Sequence, residues 1–202
     1  GDRLTRAEFE YRWELHPEIK RAELIDGEVY VEMAVGREHA AAHAAVIGWA
    51  VVFGASHPDA EVLDNATVRL GADDDLQPDI ALRKRAGGSS SAAGTVVEGP
   101  PEFVFEVAAS SASYDLHKKL AVYERSGVAE YVVWQLFEER IDWFRLVDGK
   151  YVAVEPGADG IIESAVFPGL RLPVTRLVAG DLAGVIAALT TAEPTAVEPS
   201  GA

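Results

Sequence analysis

The sequence predicts an α/β (α+β) domain in which helices flank a mixed central β-sheet. The elements follow the order helix, hairpin, helix, several strands, strand–helix–strand and a C-terminal β-meander, which favours helices on the faces of one sheet. The run EFVFEVA at 102–108 is almost continuously apolar, as is typical of a central strand covered on both faces. The 49% hydrophobic and 25% charged residues among 202 are close to globular averages. We therefore expect one domain over residues 1–189 and a disordered tail over 190–202.

The composition limits the classes of function. The chain has no cysteine, which excludes disulfides and thiolate zinc sites. The first residues are charged throughout and lack the apolar run of a signal peptide, and the most apolar stretch, 40–55, is too short for a comfortable membrane span. We therefore expect a cytoplasmic protein without a membrane partner. The net charge of −15 argues against broad binding of polyanions, so a nucleic-acid enzyme would need local positive charge.

The first half of the chain contains clear start and turn signals. Thr5 and Glu8 form a capping box ahead of apolar residues at helical spacing, which predicts an N-terminal helix. Asp26 and Gly27 separate two alternating runs and predict a hairpin within 22–35. The remaining predicted elements are a helix over 37–54, strands over 61–64 and 66–70, a polar turn over 73–78 and a strand over 79–82.

The second half begins with a segment rich in Gly, Ser and Ala at 86–99, which we expect to be a mobile surface loop. A helix over 113–126 should end at Gly127, a residue typical of helix C-termini. The predicted meander comprises strands over 130–136, 140–146, 150–154 and 161–164, followed by a last helix over 178–189.

Two carboxylates occupy strand positions where a core-forming sequence would carry apolar side chains. Asp79 opens a strand directly after Pro78, and Glu106 lies in mid-strand on the face that it shares with Val104 and Ala108. A carboxylate in so apolar a strand costs free energy unless a positive group meets it. The ordinary alternative is a Glu106 that faces solvent or pairs with an arginine.

Lys119 is the positive group that the pattern offers. On a helical wheel of about 100° per residue, it lies on the flank of an apolar stripe, whereas Lys118 faces solvent. A surface ion pair with Asp115, four residues earlier, is the alternative. Two carboxylates and a lysine suit a hard cation such as Mg²⁺, which activates water for attack on phosphorus. The set predicts phosphodiester hydrolysis, with Asp79 and Glu106 as metal ligands and Lys119 positioning the water.

Four segments carry a family resemblance: AELIDGEVYV at 22–31, EHAAAH at 38–43, QPDIAL at 77–82 and FVFEVAASSASYDLHKKLAVYERSGVAEYVV at 103–133. With them the chain resembles the Uma-two family of restriction-endonuclease-like proteins, within the PD-(D/E)XK nuclease superfamily. The resemblance implies a restriction-endonuclease-like core and DNA cleavage that depends on Mg²⁺, with Mn²⁺ as a substitute. In the superfamily pattern Asp79 and Glu106 are the two acids, and Ala108 stands where the lysine is usual. The resemblance implies that Lys119 replaces that lysine and that Glu23 is the additional acidic residue.

Other charged residues are candidates for substrate binding. Arg83 and Lys84 follow the Asp79 strand, where they either contact phosphate or form a solvated strand end. His39 matches a family position, which implies a role in substrate binding. His39 and His43 also have the spacing of half a zinc site, but no HExxH pattern accompanies them, so structural histidines are the alternative.

Two rival functions remain open at this point. A glycosidase could use Asp79 and Glu106 as an acid/base pair, but this function would not account for Lys119. The main alternative to a DNA endonuclease is a catalytically inactive nuclease-fold module that binds or regulates. For the endonuclease we expect DNA as substrate and a homodimer, because cutting both strands needs two sites.

Overall fold

The computed structural model describes residues 3–31, 36–109 and 114–190, which form two six-stranded β-sheets flanked by helices. The helices are α1 Arg6–Glu14, α2 Arg37–Ser56, α3 Leu120–Ser126, α4 Val174–Val178 and α5 Leu182–Thr190. The strands are β1 Ala22–Ile25, β2 Glu28–Val31, β3 Ala60–Asp64, β4 Val68–Arg69, β5 Asp75–Leu76, β6 Ile80–Lys84, β7 Ser91–Ala93, β8 Val96–Glu98, β9 Phe103–Ala108, β10 Glu130–Gln135, β11 Arg140–Val147, β12 Lys150–Ala153, β13 Ile161–Glu163 and β14 Arg171–Pro173.

The central sheet has the strand order β12-β11-β10-β9-β6-β3 and is mixed, because β9 runs parallel to β10 and antiparallel to β6. The predicted mixed sheet with flanking helices is therefore confirmed. A second sheet, which we call the N-terminal sheet, has the order β2-β1-β5-β4-β8-β7 and was not predicted. Strands β13 and β14 form a separate antiparallel pair.

The N-terminal elements form where the sequence predicted them, and residues 32–35 of the predicted hairpin lie outside the described residues. Thr5 caps α1, and the reciprocal capping box with Glu8 is present. Asp26 and Gly27 have φ angles of 52° and 72°, the left-handed conformation that a two-residue hairpin turn requires at both positions. This hairpin positions the β1 strand that carries Glu23.

Helix α2 packs its apolar face against the central sheet. Trp49 is fully buried, and its ring centroid lies 6.2 Å from that of Phe103 and 6.3 Å from that of Phe105. Among the described helices, α2 is long and apolar enough to cross a membrane by length and composition. Its buried residues, including Val46 and Phe53, belong to the main hydrophobic core.

Every residue of β9 is buried, which confirms the prediction of a central strand covered on both faces. Phe103 and Phe105 belong to the core on the α2 side, whereas Val104 and Ala108 belong to the core on the α3 side. The alternation of a strand therefore places Glu106 on the α3 side.

Two segments that were predicted to be turns or loops contain short strands. Within 73–78, β5 pairs with β1 and β4. Its Asp75 is only 2% exposed, and the Nε of Arg6 donates to the Asp75 Oδ1 at 2.6 Å. Within 86–99, β7 and β8 form a hairpin, and β8 pairs with β4 in parallel. The mobility of 86–99 stays a prediction.

The helix predicted over 113–126 begins with a π-helical turn, Asp115–Lys119, which continues directly into α3. Position 113 and the tail from 191 onward lie outside the described residues, so the predicted disorder of the tail stays a prediction. Gly127 ends α3 with a φ of 88°, as expected of a left-handed C-cap. The predicted last helix, 178–189, forms as α5 from Leu182 onward, and Gly180, at a φ of 76°, separates it from α4, which ends at Val178.

Candidate active site

Asp79 lies directly before β6, and its side chain is held between three elements. Its Oδ2 accepts a hydrogen bond from the backbone N–H of Val107 at 2.8 Å. Arg21 Nη1 lies 3.4 Å from Oδ1, and His39 Nε2 lies 3.4 Å from Oδ2. Burial would raise the pKa of Asp79, but the hydrogen bonds from His39 and Val107 and the charge of Arg21 lower that pKa to about 2. Asp79 is therefore ionised at neutral pH.

Glu106 lies in β9, next to Asp79, which directly precedes the neighbouring strand β6, and is 3% exposed. Its Oε1 accepts hydrogen bonds from Lys119 Nζ at 3.0 Å and from the Tyr123 hydroxyl at 3.1 Å, and its Oε2 lies 3.4 Å from the backbone nitrogen of Asp79. Burial raises the pKa of Glu106 well above its usual value. The charge of Lys119 opposes this shift, and the neighbouring carboxylates reinforce it. Glu106 thus sits where negative charge is in excess.

Lys119 points inward, in the orientation that the helical wheel predicted, although the turn that carries it is π-helical. Its Nζ lies 3.0 Å from both Glu23 Oε1 and Glu106 Oε1, whereas the side chain of Lys118 is 48% exposed. Burial would lower the pKa of Lys119, but the charges of Glu106, Glu23 and Asp115 outweigh burial and raise that pKa well above its usual value. Lys119 therefore stays an ammonium through the neutral pH range.

Glu23 reaches the same point from the N-terminal sheet. It is 1% exposed, and its Oε1 accepts a hydrogen bond from the backbone N–H of Gln77 at 2.8 Å while also meeting Lys119. Asp115, treated above as one half of a surface ion pair, is instead 3% exposed, with its Oδ1 3.7 Å from Lys119 Nζ. The surface alternative for Asp115 is therefore wrong, because the π-helical turn faces the sheets.

We call the group of five buried residues that meet here the acidic cluster; it comprises Glu23, Asp79, Glu106, Asp115 and Lys119. Three of the carboxyl groups, those of Glu23, Glu106 and Asp115, lie within 3.7 Å of the ammonium. Asp79 adjoins Glu106, and Arg21 and His39 meet the cluster from the Asp79 side. Excess buried carboxylate is unfavourable alone and is compensated by a cation.

The donor chemistry of the cluster fits a hard divalent cation. Asp79 and Glu106 supply carboxylate oxygens, and the carbonyl of Val107 faces the same edge as its N–H, which bonds to Asp79. Within residues 3–31, 36–109 and 114–190, no three acidic or histidine side chains are already arranged around one point as metal ligands. Lys119 lies in contact with Glu23 and Glu106 instead, and supplies part of the compensating charge.

The structure brings both histidines of α2 to Asp79. His39 contacts its carboxylate, and His43 Nε2 lies 3.2 Å from its backbone oxygen and 3.1 Å from Asp64 Oδ1. His39 and His43 thus meet different groups, which favours a structural role for His43 and leaves His39 beside the candidate site.

Arg83 and Lys84 are not brought to the acidic cluster. They lie at the opposite end of β6 from Asp79, and four residues of extended strand span about 13 Å. Arg83 is 5% exposed and is paired with Glu61, and its Nη2 donates to the backbone oxygen of Ser90 at 3.1 Å. The interpretation of Arg83 as a phosphate contact beside the metal therefore needs correction, because its charge is already compensated inside the protein.

Arg21 is the cation that the sequence analysis missed. Its side chain is 20% exposed, its Nη2 donates to the backbone oxygen of Gln77 at 2.8 Å, and its Nη1 approaches Asp79. The available signal was its position two residues before Glu23 in extended chain, which puts both side chains on one face.

Neutralising Glu106 should stabilise the protein in the absence of metal. A raised pKa in the folded state means that the ionised carboxylate costs stability at neutral pH, and that this cost disappears as the pH falls towards the ordinary value of about 4.5. We expect Glu106→Gln to melt at a higher temperature than the wild type at pH 7–8, with a difference that shrinks by pH 5. Melting curves across this range in EDTA measure the effect.

Glu28 provides a control of opposite sign. Hydrogen bonds from Lys118 and Tyr30 lower the pKa of Glu28 to about 2, so its ionised form favours the folded state above about pH 4.5. Glu28→Gln should therefore melt below the wild type at neutral pH. Equal shifts in the two variants would contradict the assignment of charge excess to the acidic cluster.

Known proteins resemble this chain in sequence pattern and in fold. A family model described as Uma2, putative restriction endonuclease, matches residues 6–175. The crystal structure of a putative nuclease belonging to DUF820 from Anabaena variabilis is similar, with a TM-score of 0.64 and 14% sequence identity over 78% of this chain and 89% of that chain. At this identity the likeness shows a common fold. No functionally curated protein matches the chain.

Proposed function

Because the chain belongs to the Uma2 family of putative restriction endonucleases, we propose that it is a metal-dependent endonuclease that hydrolyses phosphodiester bonds in DNA. Family membership supports a nuclease function in general. The observation that supports the finer proposal is the meeting of Asp79, Glu106 and Lys119, which come from three separate segments of the chain.

In this proposal Asp79 and Glu106 hold Mg²⁺, or Mn²⁺ in its place, with the carbonyl of Val107 as a further oxygen donor. When bound, such an ion supplies Lewis-acid activation of water and of the phosphate. The excess of buried carboxylate around Glu106 supports this assignment, since the raised pKa of Glu106 marks a position where added positive charge is favourable.

Lys119 acts as a charged donor and not as a base. Since its pKa is raised, it keeps its proton at neutral pH, orients the attacking water and stabilises the negative charge that develops on the phosphate oxygens. Glu23 and Asp115 hold the ammonium in position.

Arg21 supplies local positive charge, which a chain of net charge −15 needs for a polyanionic substrate, and His39 lies beside it at Asp79. The two side chains are 20% and 18% exposed, whereas Asp79 behind them is 3% exposed. This side of the acidic cluster is therefore the one on which we propose that a phosphate arrives.

Cleavage assays test the proposal directly. Supercoiled DNA, single-stranded DNA and RNA are incubated with Mg²⁺ or Mn²⁺ and either the wild type, Glu106→Gln or Lys118→Met. We expect the wild type to cut DNA, Glu106→Gln to lose more than about 100-fold in rate and Lys118→Met, altered at the adjacent exposed lysine, to stay within about threefold.

Cleavage that is equal in Glu106→Gln and the wild type would place the activity elsewhere or in a contaminant. A wild type that cuts no substrate would favour the alternative, a catalytically inactive nuclease-fold module that binds or regulates. The near-complete burial of the acidic cluster and the net charge of −15 are the observations that favour that alternative. The homodimer and the cytoplasmic location stay predictions.

A further inference from the structure

The hydroxyl of Tyr114 is a buried polar group without a hydrogen-bond partner among the described protein atoms. Its ring lies beside the acidic cluster, because the Nζ of Lys119 is 5.9 Å from the ring centroid. Two neighbouring tyrosines differ from it: the Tyr123 hydroxyl donates to Glu106 at 3.1 Å, and the Tyr131 hydroxyl donates to the backbone oxygen of Asp115 at 3.1 Å. A buried hydroxyl that lacks a partner is unfavourable and usually indicates an external partner.

The surroundings of Tyr114 fix its ring without using its hydroxyl. The ring packs on that of Tyr30, with centroids 4.8 Å apart, and the Tyr30 hydroxyl is engaged by Glu28 and Lys118. Burial raises the pKa of Tyr114, and the charge of Glu23 reinforces this effect, so the hydroxyl keeps its proton at neutral pH. The group is therefore an oriented, uncharged hydrogen-bond donor at the edge of a strongly acidic site.

We propose that the Tyr114 hydroxyl donates a hydrogen bond to a non-bridging oxygen of the bound phosphodiester, as a further catalytic residue of the nuclease proposed above. This inference rests on the proposed function, because the acidic cluster must receive a phosphate. A phosphodiester oxygen is an anionic acceptor, and hydrogen bonds to charged acceptors are the stronger class. The hydroxyl adds a donor where the nearest carboxyl groups offer none.

Tyr114→Phe tests the proposal, because it deletes the hydroxyl and keeps the ring. The probe is a fluorescein-labelled DNA duplex in buffer with Ca²⁺ in place of Mg²⁺, so that binding by anisotropy is measured apart from cleavage in Mg²⁺. We expect the Kd of Tyr114→Phe to rise by about tenfold or more and cleavage to fall by a similar factor, since a hydrogen bond to a charged group is lost. Its melting temperature should equal or exceed that of the wild type.

Tyr151→Phe is the matched control. The Tyr151 hydroxyl donates to the backbone oxygen of Val128 at 3.0 Å and belongs to β12, away from the acidic cluster. This variant should melt at a lower temperature than the wild type and bind the duplex with an unchanged Kd. The pair of variants thus separates a hydroxyl that serves the fold from one that serves the ligand.

The outcomes separate this inference from the proposed function. Weaker duplex binding by Tyr114→Phe would support the role of the hydroxyl. If the wild type in the same experiment binds the duplex but does not cut it, the result contradicts hydrolysis. If the wild type cuts DNA and Tyr114→Phe has the same Kd and the same cleavage rate, the role of the hydroxyl alone is overturned. A lowered melting temperature in Tyr114→Phe, as in the control, would also overturn it, and a wild type that neither binds nor cuts would overturn both.

Discussion

Replacement of Lys119 by methionine is expected to lower the melting temperature by about 6–20 °C and to abolish cleavage. The variant leaves Glu23, Glu106 and Asp115 buried without their shared ammonium. Removing one partner of a buried ion pair costs about 3–5 kcal/mol. Each kcal/mol shifts the melting temperature of a chain of this size by about 2–4 °C. Thermal melts in EDTA, alongside the plasmid assay, measure both effects.

Lys118→Met is the matched control, because the two lysines are adjacent and only Lys119 is buried. Because the pair of Lys118 with Glu28 is exposed, its loss should lower the melting temperature far less than the loss of Lys119 does. Lowering the pH should restore part of the stability of Lys119→Met, since protonated carboxyls no longer repel one another. A Lys119→Met protein that melts like the wild type would show that the ammonium does not hold the cluster.

Asp79→Asn is expected to remove the response to divalent metal and to reduce cleavage more than about 100-fold. At a free ion concentration about 100 times the Kd, binding adds about 2.7 kcal/mol to the stability of the wild type, which corresponds to about 5–11 °C. The asparagine keeps an oxygen that accepts from Val107 but loses the charge that attracts the ion. Melting curves with and without Mg²⁺ or Mn²⁺ measure the shift of each variant against its own metal-free form.

Asp64→Asn is the control for this variant. Asp64 pairs with His43, which also contacts the backbone oxygen of Asp79, but the Asp64 carboxylate lies outside the acidic cluster. Its metal-induced shift should match that of the wild type. If Asp79→Asn retained the full shift, the metal would be bound elsewhere.

The fold was predictable where local chemistry decides the structure. The capping box at Thr5, the left-handed turn at Asp26 and the apolar run of β9 each depend on neighbours within a few residues. The N-terminal sheet beyond its β1–β2 hairpin was not predictable in this way, because β4, β5 and β8 are only two or three residues long and the pairings β1–β5 and β4–β8 join distant segments. Asp75 is buried in β5, where Arg6, 69 positions earlier, and Arg69 compensate its charge.

The residues of the candidate site show the same difference between local signals and long-range contacts. Glu106 and Lys119 were identified because a charge on the apolar side of an element is visible in the sequence itself. Arg21 was missed because its contact with Asp79 spans 58 positions. Arg83 was misjudged because its pairing with Glu61 depends on the register of β3 against β6, which no local pattern reveals.

The single ammonium of Lys119 joins strands of different sheets, since Glu23 belongs to β1 and Glu106 to β9. It therefore connects the two sheets as well as being the donor that we propose for the substrate. The ion pairs add an electrostatic contact to the apolar core that the two sheets share, so a change at Lys119 acts on the packing of the sheets as well as on the site.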